Sequence, residues 1–129
     1  MYLNRLTIRG FLGNDAETRS TASGKTYISL SIATKTSWKD DKNEWQSLTE
    51  WHRAVVWGES LAKYAATLKT GDFVQVEGAL RSREYEDKDG VMRRIWECKA
   101  DSVLQINRPE RAETAAAADQ QPVSEEVPL

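Results

Sequence analysis

Tryptophan and arginine alternate in one short stretch of the sequence. If residues 47–57 form a strand, Trp51, Arg53 and Trp57 share one face, because successive side chains of a strand point to opposite faces. Such a face suits a single-stranded nucleic acid, since bases stack on aromatic rings for about 1–3 kcal/mol each and cations follow the phosphates. The alternative is that both tryptophans belong to the core and the arginine lies at its rim.

A second stretch offers the same chemistry. On a strand over about residues 73–85, Arg81, Arg83 and Tyr85 again share one face. Together with Trp38 at the end of an earlier strand, they interleave aromatic and basic groups on one sheet. Stacking is indifferent to base sequence because every base has a π-face. The two stretches therefore predict sequence-independent binding of single strands.

The rest of the composition excludes most other chemistry. Cys98 is the only cysteine and His52 the only histidine, which excludes an internal disulfide and a cysteine-based zinc site. We expect no catalytic residue, no metal and no cofactor, because no nucleophile or metal partner accompanies His52. Cys98 is expected to be a small buried hydrophobe, with a surface thiol as the alternative.

The charge of the chain is unevenly distributed. The net charge is −2, but five acids follow Pro109 against Arg111 alone, so the tail carries −4 and residues 1–109 carry +2. From about residue 108 on, Pro, Ala, Gln, Ser and Glu dominate without any period. We therefore predict one domain over residues 1–108 and a disordered acidic tail over residues 109–129.

Five strands and one helix are predicted within the domain. Apolar residues recur at Leu61, Tyr64, Ala65 and Leu68, one face of a short helix that begins at the N-cap Ser60 and stops before residue 71. The predicted strands cover residues 3–12, 26–36, 47–57, 73–85 and 91–106, with turns at 14–15 and 21–24 and a hairpin at 87–90. Three strands, a helix and two strands are the element order of the OB-fold, a five-stranded all-β barrel with its helix between strands three and four.

Several segments in this order resemble bacterial single-stranded DNA-binding proteins. The resemblance covers about residues 3–106, and residues 49–58, with the sequence TEWHRAVVWG, are its most diagnostic part. The other matching segments are residues 4–5, 10–13, 15–19, 33–38 and 69–83.

The resemblance implies a homotetramer that binds single-stranded DNA in replication, recombination and repair, and that is not an enzyme. The implied stacking residues are Trp38, Trp51, Trp57 and Tyr85. The implied basic residues on the DNA path are Arg5, Arg53, Arg81 and Arg83. His52 falls where the family has a subunit contact.

The last five residues resemble the acidic tip by which the family recruits replication and repair proteins. They are Glu125, Glu126, Val127, Pro128 and Leu129. An acidic tail with a hydrophobic end suits a basic pocket that has an apolar slot. The alternative is a solubilising tail whose ending has no partner.

Other interpretations and the remaining tryptophans stay open. Trp45 is either an extra stacking group or a loop anchor, whereas Trp96 is expected to serve packing or an interface. An OB-fold adaptor that kept the fold but weakened its DNA site is a second functional class, and the retained tryptophans argue against it. Because the sequence shows neither a membrane span nor a signal-peptide layout, we expect a cytoplasmic, nucleoid-associated protein.

Overall fold

Six strands and one helix make up the part of the chain that the computed structural model describes, residues 1–106. In chain order they are β1 (Leu6–Leu12), β2 (Glu17–Ser20), β3 (Thr26–Lys39), β4 (Trp45–Val56), α1 (Glu59–Ala65), β5 (Phe73–Glu86) and β6 (Met92–Gln105). All the predicted elements are present in the predicted order, and β2 is additional. The hairpin between β5 and β6 is also confirmed, since the N–H of Gly90 donates to the carbonyl oxygen of Asp87 at 3.0 Å.

β1 closes the sheet into a barrel because it pairs on both sides. It pairs with β5 along most of its length and with β3 at Phe11–Ala33 and Leu12–Ile32. β6 lies between β5 and β4 and runs parallel to β4. The order β1-β5-β6-β4-β3 thus returns to β1. The predicted five-stranded OB-fold barrel, with one helix between its third and fourth strands, is confirmed.

The core follows the predicted alternation of apolar residues. Ile28, Leu30 and Ile32 of β3 are buried, and Ala54 and Val56 of β4 lie beside them. The other buried residues of the cluster are Ile8, Leu12, Ala65, Leu68, Val74, Val76, Cys98, Ala100 and Val103. Burial raises the pKa of the Cys98 thiol, which therefore stays protonated near neutral pH. The prediction of a small buried hydrophobe is confirmed.

β2 occupies part of a segment that we predicted to be only turns. It pairs antiparallel with the start of β3, from Glu17–Ser29 to Ser20–Thr26. The turn at 21–24 joins the two strands, as predicted, with the N–H of Gly24 donating to the carbonyl oxygen of Thr21 at 3.0 Å. All four β2 residues are exposed, so the strand has no apolar alternation in its sequence by which it could be recognised.

The helix begins and ends earlier than predicted. Its N-cap is Gly58, without a side-chain capping bond, so the expectation for Ser60 is wrong, and α1 ends at Ala65. Leu68 is buried but lies beyond the last helical turn, and its N–H donates to the carbonyl oxygen of Ala65 at 3.1 Å. The predicted apolar face is therefore only partly buried: Ala65 and Leu68 lie in the core and Leu61 packs against it, whereas Tyr64 is exposed. Within residues 1–106, no helix is long and apolar enough to cross a membrane.

Candidate nucleic-acid interface

Three neighbouring strands bring six of the eight predicted aromatic and basic residues onto one surface. The register pairs Val55 of β4 with Lys99 of β6, and Arg81 of β5 with Glu97 of β6. Directly paired residues of neighbouring strands point to the same side of a sheet. Around these pairs, the odd-numbered residues of β4, β5 and β6 therefore lie on the same side. We call this surface the stacking face; its members are Trp51, Arg53, Val55, Trp57, Arg81, Arg83, Tyr85, Glu97 and Lys99. Its centre is a groove of about 240 Å³, lined by Val55, Trp57, Arg81, Ser82, Arg83, Glu97 and Lys99.

Trp51 presents its indole to solvent. Its relative exposure is 60%, so the alternative that placed it in the core is wrong. The ring lies directly over Gly13, because a methyl group on that glycine would lie 2.4 Å from Cζ3 of the indole. Trp51 also borders a second groove of about 350 Å³, whose lining includes Phe11, Lys35 and Thr49. An exposed ring beside cationic groups is the arrangement that stacks on a base.

Trp57 and Tyr85 stand at two other places on the stacking face. Trp57 is partly buried, with its ring centroid 4.6 Å from that of Tyr27 and the two planes tilted by 32°. This contact supports the indole from one side. Tyr85 is exposed near the end of β5, opposite Arg93 of β6. The stacking face therefore offers aromatic rings on two strands.

The structure separates Trp38 from the other predicted stacking residues. The register pairs Trp38 with Gln46 and Trp51 with Ala33, without a bulge between them. Trp38 and Trp51 are therefore out of phase, and the two indoles leave the β3–β4 hairpin on opposite faces. The two are on one sheet, as predicted, but not on one face, because phase depends on a register that the sequence does not reveal.

His52 shares its side of the hairpin with Thr34. Its Nε2 atom lies 2.8 Å from Thr34 Oγ1, and the ring is half buried. No group of three or more His, Cys, Asp or Glu side chains within residues 1–106 is arranged to hold a metal ion. The ring thus has a structural hydrogen bond on the side away from Trp51.

Arg5 lies just before β1 and outside the central groove. Its Nη1 is 3.4 Å from Asp101 Oδ2, and both side chains are exposed. Exposed ion pairs contribute little to stability, so this guanidinium can exchange the carboxylate for a phosphate. The predicted basic residue is therefore available, although not beside Arg53, Arg81 and Arg83.

A buried carboxylate that the sequence analysis missed joins two of the predicted arginines. Glu97 is only 8% exposed, and its oxygens lie 3.4 Å from Nε of Arg53 and 3.2 Å from Nε of Arg83. Arg81 has no ion-pair partner among the described residues. The only signal in the sequence was an isolated acid between Trp96 and Cys98, in a predicted strand. One acid between two arginines leaves this part of the groove with a net charge of +1.

We expect Glu97→Gln to steepen the salt dependence of single-strand binding. Without the carboxylate, one more local cation is free to neutralise a phosphate, and the slope of log K against log salt should steepen by about 0.7. Binding at low salt should become tighter. The slope is measured by titrations at several salt concentrations.

Glu84→Gln is the matched control, because Glu84 is exposed and pairs with Arg94 at 2.9 Å on the opposite face of β5 and β6. It should leave the slope unchanged. A Glu97→Gln protein that binds more weakly with the original slope would mean that the carboxylate only positions the arginines.

Comparison with known proteins identifies relatives of most of the described residues. The model of the Single-strand binding protein family matches residues 3–106. A relative from Chlorobaculum tepidum, "Single-stranded DNA-binding protein 1", is 41% identical over 85 residues. That match covers 66% of this chain and 52% of the relative, so it spans about half the relative's length. The Xylella fastidiosa protein of the same name is 36% identical over 107 residues, covering 82% of this chain and 79% of the relative.

Solved structures agree with the fold. "Plasmodium falciparum SSB complex with ssDNA" superposes with a TM-score of 0.71 at 26% identity, covering 83% of this chain and 97% of that one. A deletion mutant of the single-stranded DNA binding protein from Thermus aquaticus gives a TM-score of 0.68 at 22% identity, covering 83% and 52%. At that identity the second likeness supports the barrel alone.

Proposed function

Because the chain belongs to the Single-strand binding protein family, we propose that it binds single-stranded DNA without regard to base sequence and so serves DNA replication, recombination and repair. Proteins of this family bind DNA and are not enzymes, which confirms that prediction. The observation that carries the proposal is the exposed Trp51 ring on the same face of the sheet as the arginine-lined groove.

The mechanism follows from what each kind of side chain can do. Aromatic rings offer flat faces on which bases stack, and every base has such a face, so no sequence is preferred. Guanidinium groups neutralise phosphates and release the counterions condensed on the strand, which makes the affinity depend on salt. A duplex hides its base faces, so it loses the stacking contribution and keeps only the charge contribution.

We assign the predicted residues to these two roles. The stacking residues are Trp38, Trp51, Trp57 and Tyr85, and the phosphate-binding residues are Arg5, Arg53, Arg81 and Arg83. The shared stacking face supports six of these assignments. Trp38 and Arg5 are assigned on their exposure and on the resemblance to the family, since they lie off the stacking face or outside its groove.

Fluorescence anisotropy with labelled oligonucleotides tests the function. Single strands of unrelated sequence should bind with affinities within about tenfold of one another, and the duplexes made from them should bind far more weakly. An adaptor with a weakened DNA site would bind all of these strands poorly. A protein that prefers the duplex would contradict the proposal.

We propose that the chain assembles as a homotetramer with His52 near a subunit contact. One barrel offers only a short track for DNA, and family members of this type combine four barrels. The half-buried His52 lies on the side away from the stacking face, so a contact there would leave Trp51 free. Light scattering at micromolar concentration should give about four times 14.6 kDa. A monomer would contradict the assembly.

The tail, residues 109–129, lies outside the described residues, and so does its tip, Glu125, Glu126, Val127, Pro128 and Leu129. We propose that it competes weakly with DNA and recruits replication and repair proteins in the cytoplasm, near the nucleoid. Deletion of residues 110–129 should keep or slightly raise the affinity for single strands at low salt, because a charge of −4 is removed. The gain should fade as salt screens the charges over about 10 Å at 0.1 M. Loss of DNA affinity would mean that the tail belongs to the binding site.

A further inference from the structure

Trp45 lies at the far end of the β3–β4 hairpin, on the same face as Trp51. It is the first residue of β4, pairs with Lys39 of β3 and is 52% exposed. Trp45 and Trp51 are six residues apart, an even number, so strand alternation sets both on one side of β4, and Trp57 follows at the same spacing just after the strand. The face that binds bases at Trp51 therefore continues along the hairpin.

The turn beyond Trp45 does not need this indole as an anchor. The Asp40 carboxylate accepts hydrogen bonds from the N–H groups of Lys42 and Glu44 and from the Gln46 amide, each at 2.9 Å. These bonds, led by the one from Glu44, hold the pKa of Asp40 below its usual range. The turn is thus closed by Asp40, and the exposed Trp45 ring is not part of that closure.

A cation accompanies the Trp45 ring. The ammonium of Lys39 lies 5.4 Å from the ring centroid, within the range of a cation–π contact. Between this pair and Trp51, the register places Lys35 opposite Thr49, and both of these line the groove beside Trp51. The same combination of an exposed ring and a cation therefore recurs along one continuous surface.

We propose that Trp45 is a further stacking site, which takes a base of the same DNA strand beyond Trp51. This inference rests on the proposed function. Six residues of strand span about 20 Å at about 3.4 Å per residue, so a strand must be long enough to reach from one indole to the other. The turn residues carry the acids Asp40, Asp41 and Glu44 against Lys42, so the contribution of this site comes from stacking and not from charge.

The test is the affinity for oligo(dT) of increasing length, measured with the full chain. Trp45→Ala should leave the affinity for the shortest bound oligonucleotides unchanged and weaken that for long ones about fivefold or more. The slope against salt should not change. Trp45→Phe keeps a π-face and should bind like the wild type, whereas Trp45→Leu keeps an apolar side chain without one and should bind like Trp45→Ala.

Trp96→Ala is the matched control, because Trp96 is 58% exposed and pairs with Ser82, out of phase with the stacking face. It should not alter the length dependence. If Trp51→Ala weakens binding while Trp45→Ala matches the wild type at every length, the inference is overturned and the proposed function stands. If neither variant weakens binding, both the inference and the proposed function are overturned. The inference is also overturned if Trp45→Ala loses affinity equally at every length. It is overturned likewise if Trp45→Phe binds long oligonucleotides as weakly as Trp45→Ala does.

Discussion

Trp51→Ala is expected to weaken the binding of single-stranded DNA by about 1–3 kcal/mol, which is roughly 5- to 150-fold. The indole is exposed and uncharged, so its loss removes a stacking surface and no phosphate contact. The slope of log K against log salt should therefore stay as in the wild type. Both quantities come from titrations with oligo(dT) at several salt concentrations.

Arg81→Ala provides the contrast. Since Arg81 lies on the stacking face and has no ion-pair partner within residues 1–106, its loss should make the salt slope shallower by about 0.7. The two variants separate stacking from charge only if their slopes differ. Equal losses of affinity with one shared slope would contradict the division of roles between the aromatic and the basic residues.

Gly78→Ala is expected to have the largest effect on stability, about 3 kcal/mol or more. Gly78 is buried beside a bulge in β5, and a methyl group there would lie 2.0 Å from the carbonyl oxygen of Lys99 on β6. The obstacle is the backbone of a paired strand, which cannot move without opening the barrel. Urea denaturation measures the loss as a lower midpoint.

Gly13→Ala is the matched control, because its methyl group meets a side chain and not a backbone. The nearest atoms belong to the exposed Trp51 ring, which can swing away, and the N–H of Gly13 keeps its hydrogen bond to Ser31. This variant should keep its free energy of unfolding to within about 1 kcal/mol and lose affinity for single strands as the indole is displaced. Equal destabilisation by the two substitutions would contradict this account of both glycines.

The sequence predicted those parts of the fold that a local period reveals. Ile28, Leu30 and Ile32 alternate with small residues, and the strand they predicted is β3. β2 was not predicted because its four residues are all exposed. A strand without a buried face shows no alternation of apolar and polar residues in its sequence. The end of the helix was also not predictable from the apolar spacing. Leu68 is buried as that spacing predicted, but its N–H bonds to the carbonyl oxygen of Ala65 in a turn that follows the helix.

The site was predictable by residue type but not by geometry. Trp51 lies on β4 and Trp57 directly follows its last residue, so counting residues suffices to place both on one face. Whether Trp38 joins them depends on the length and register of the hairpin, which the sequence does not specify. Glu97 acquires its role only because β6 lies between β4 and β5, which brings Arg53 and Arg83 from distant segments to one carboxylate.

Intrinsic tryptophan fluorescence, titrated with poly(dT), tests the central claim most directly. Exposed indoles of the stacking face should stack on bases, so we expect a deep quench that saturates at a fixed ratio of nucleotide to protein. The quench should reverse at high salt, as phosphates regain their counterions. Fluorescence that stays unchanged through the titration would contradict the claim that this chain binds single-stranded DNA through its tryptophans.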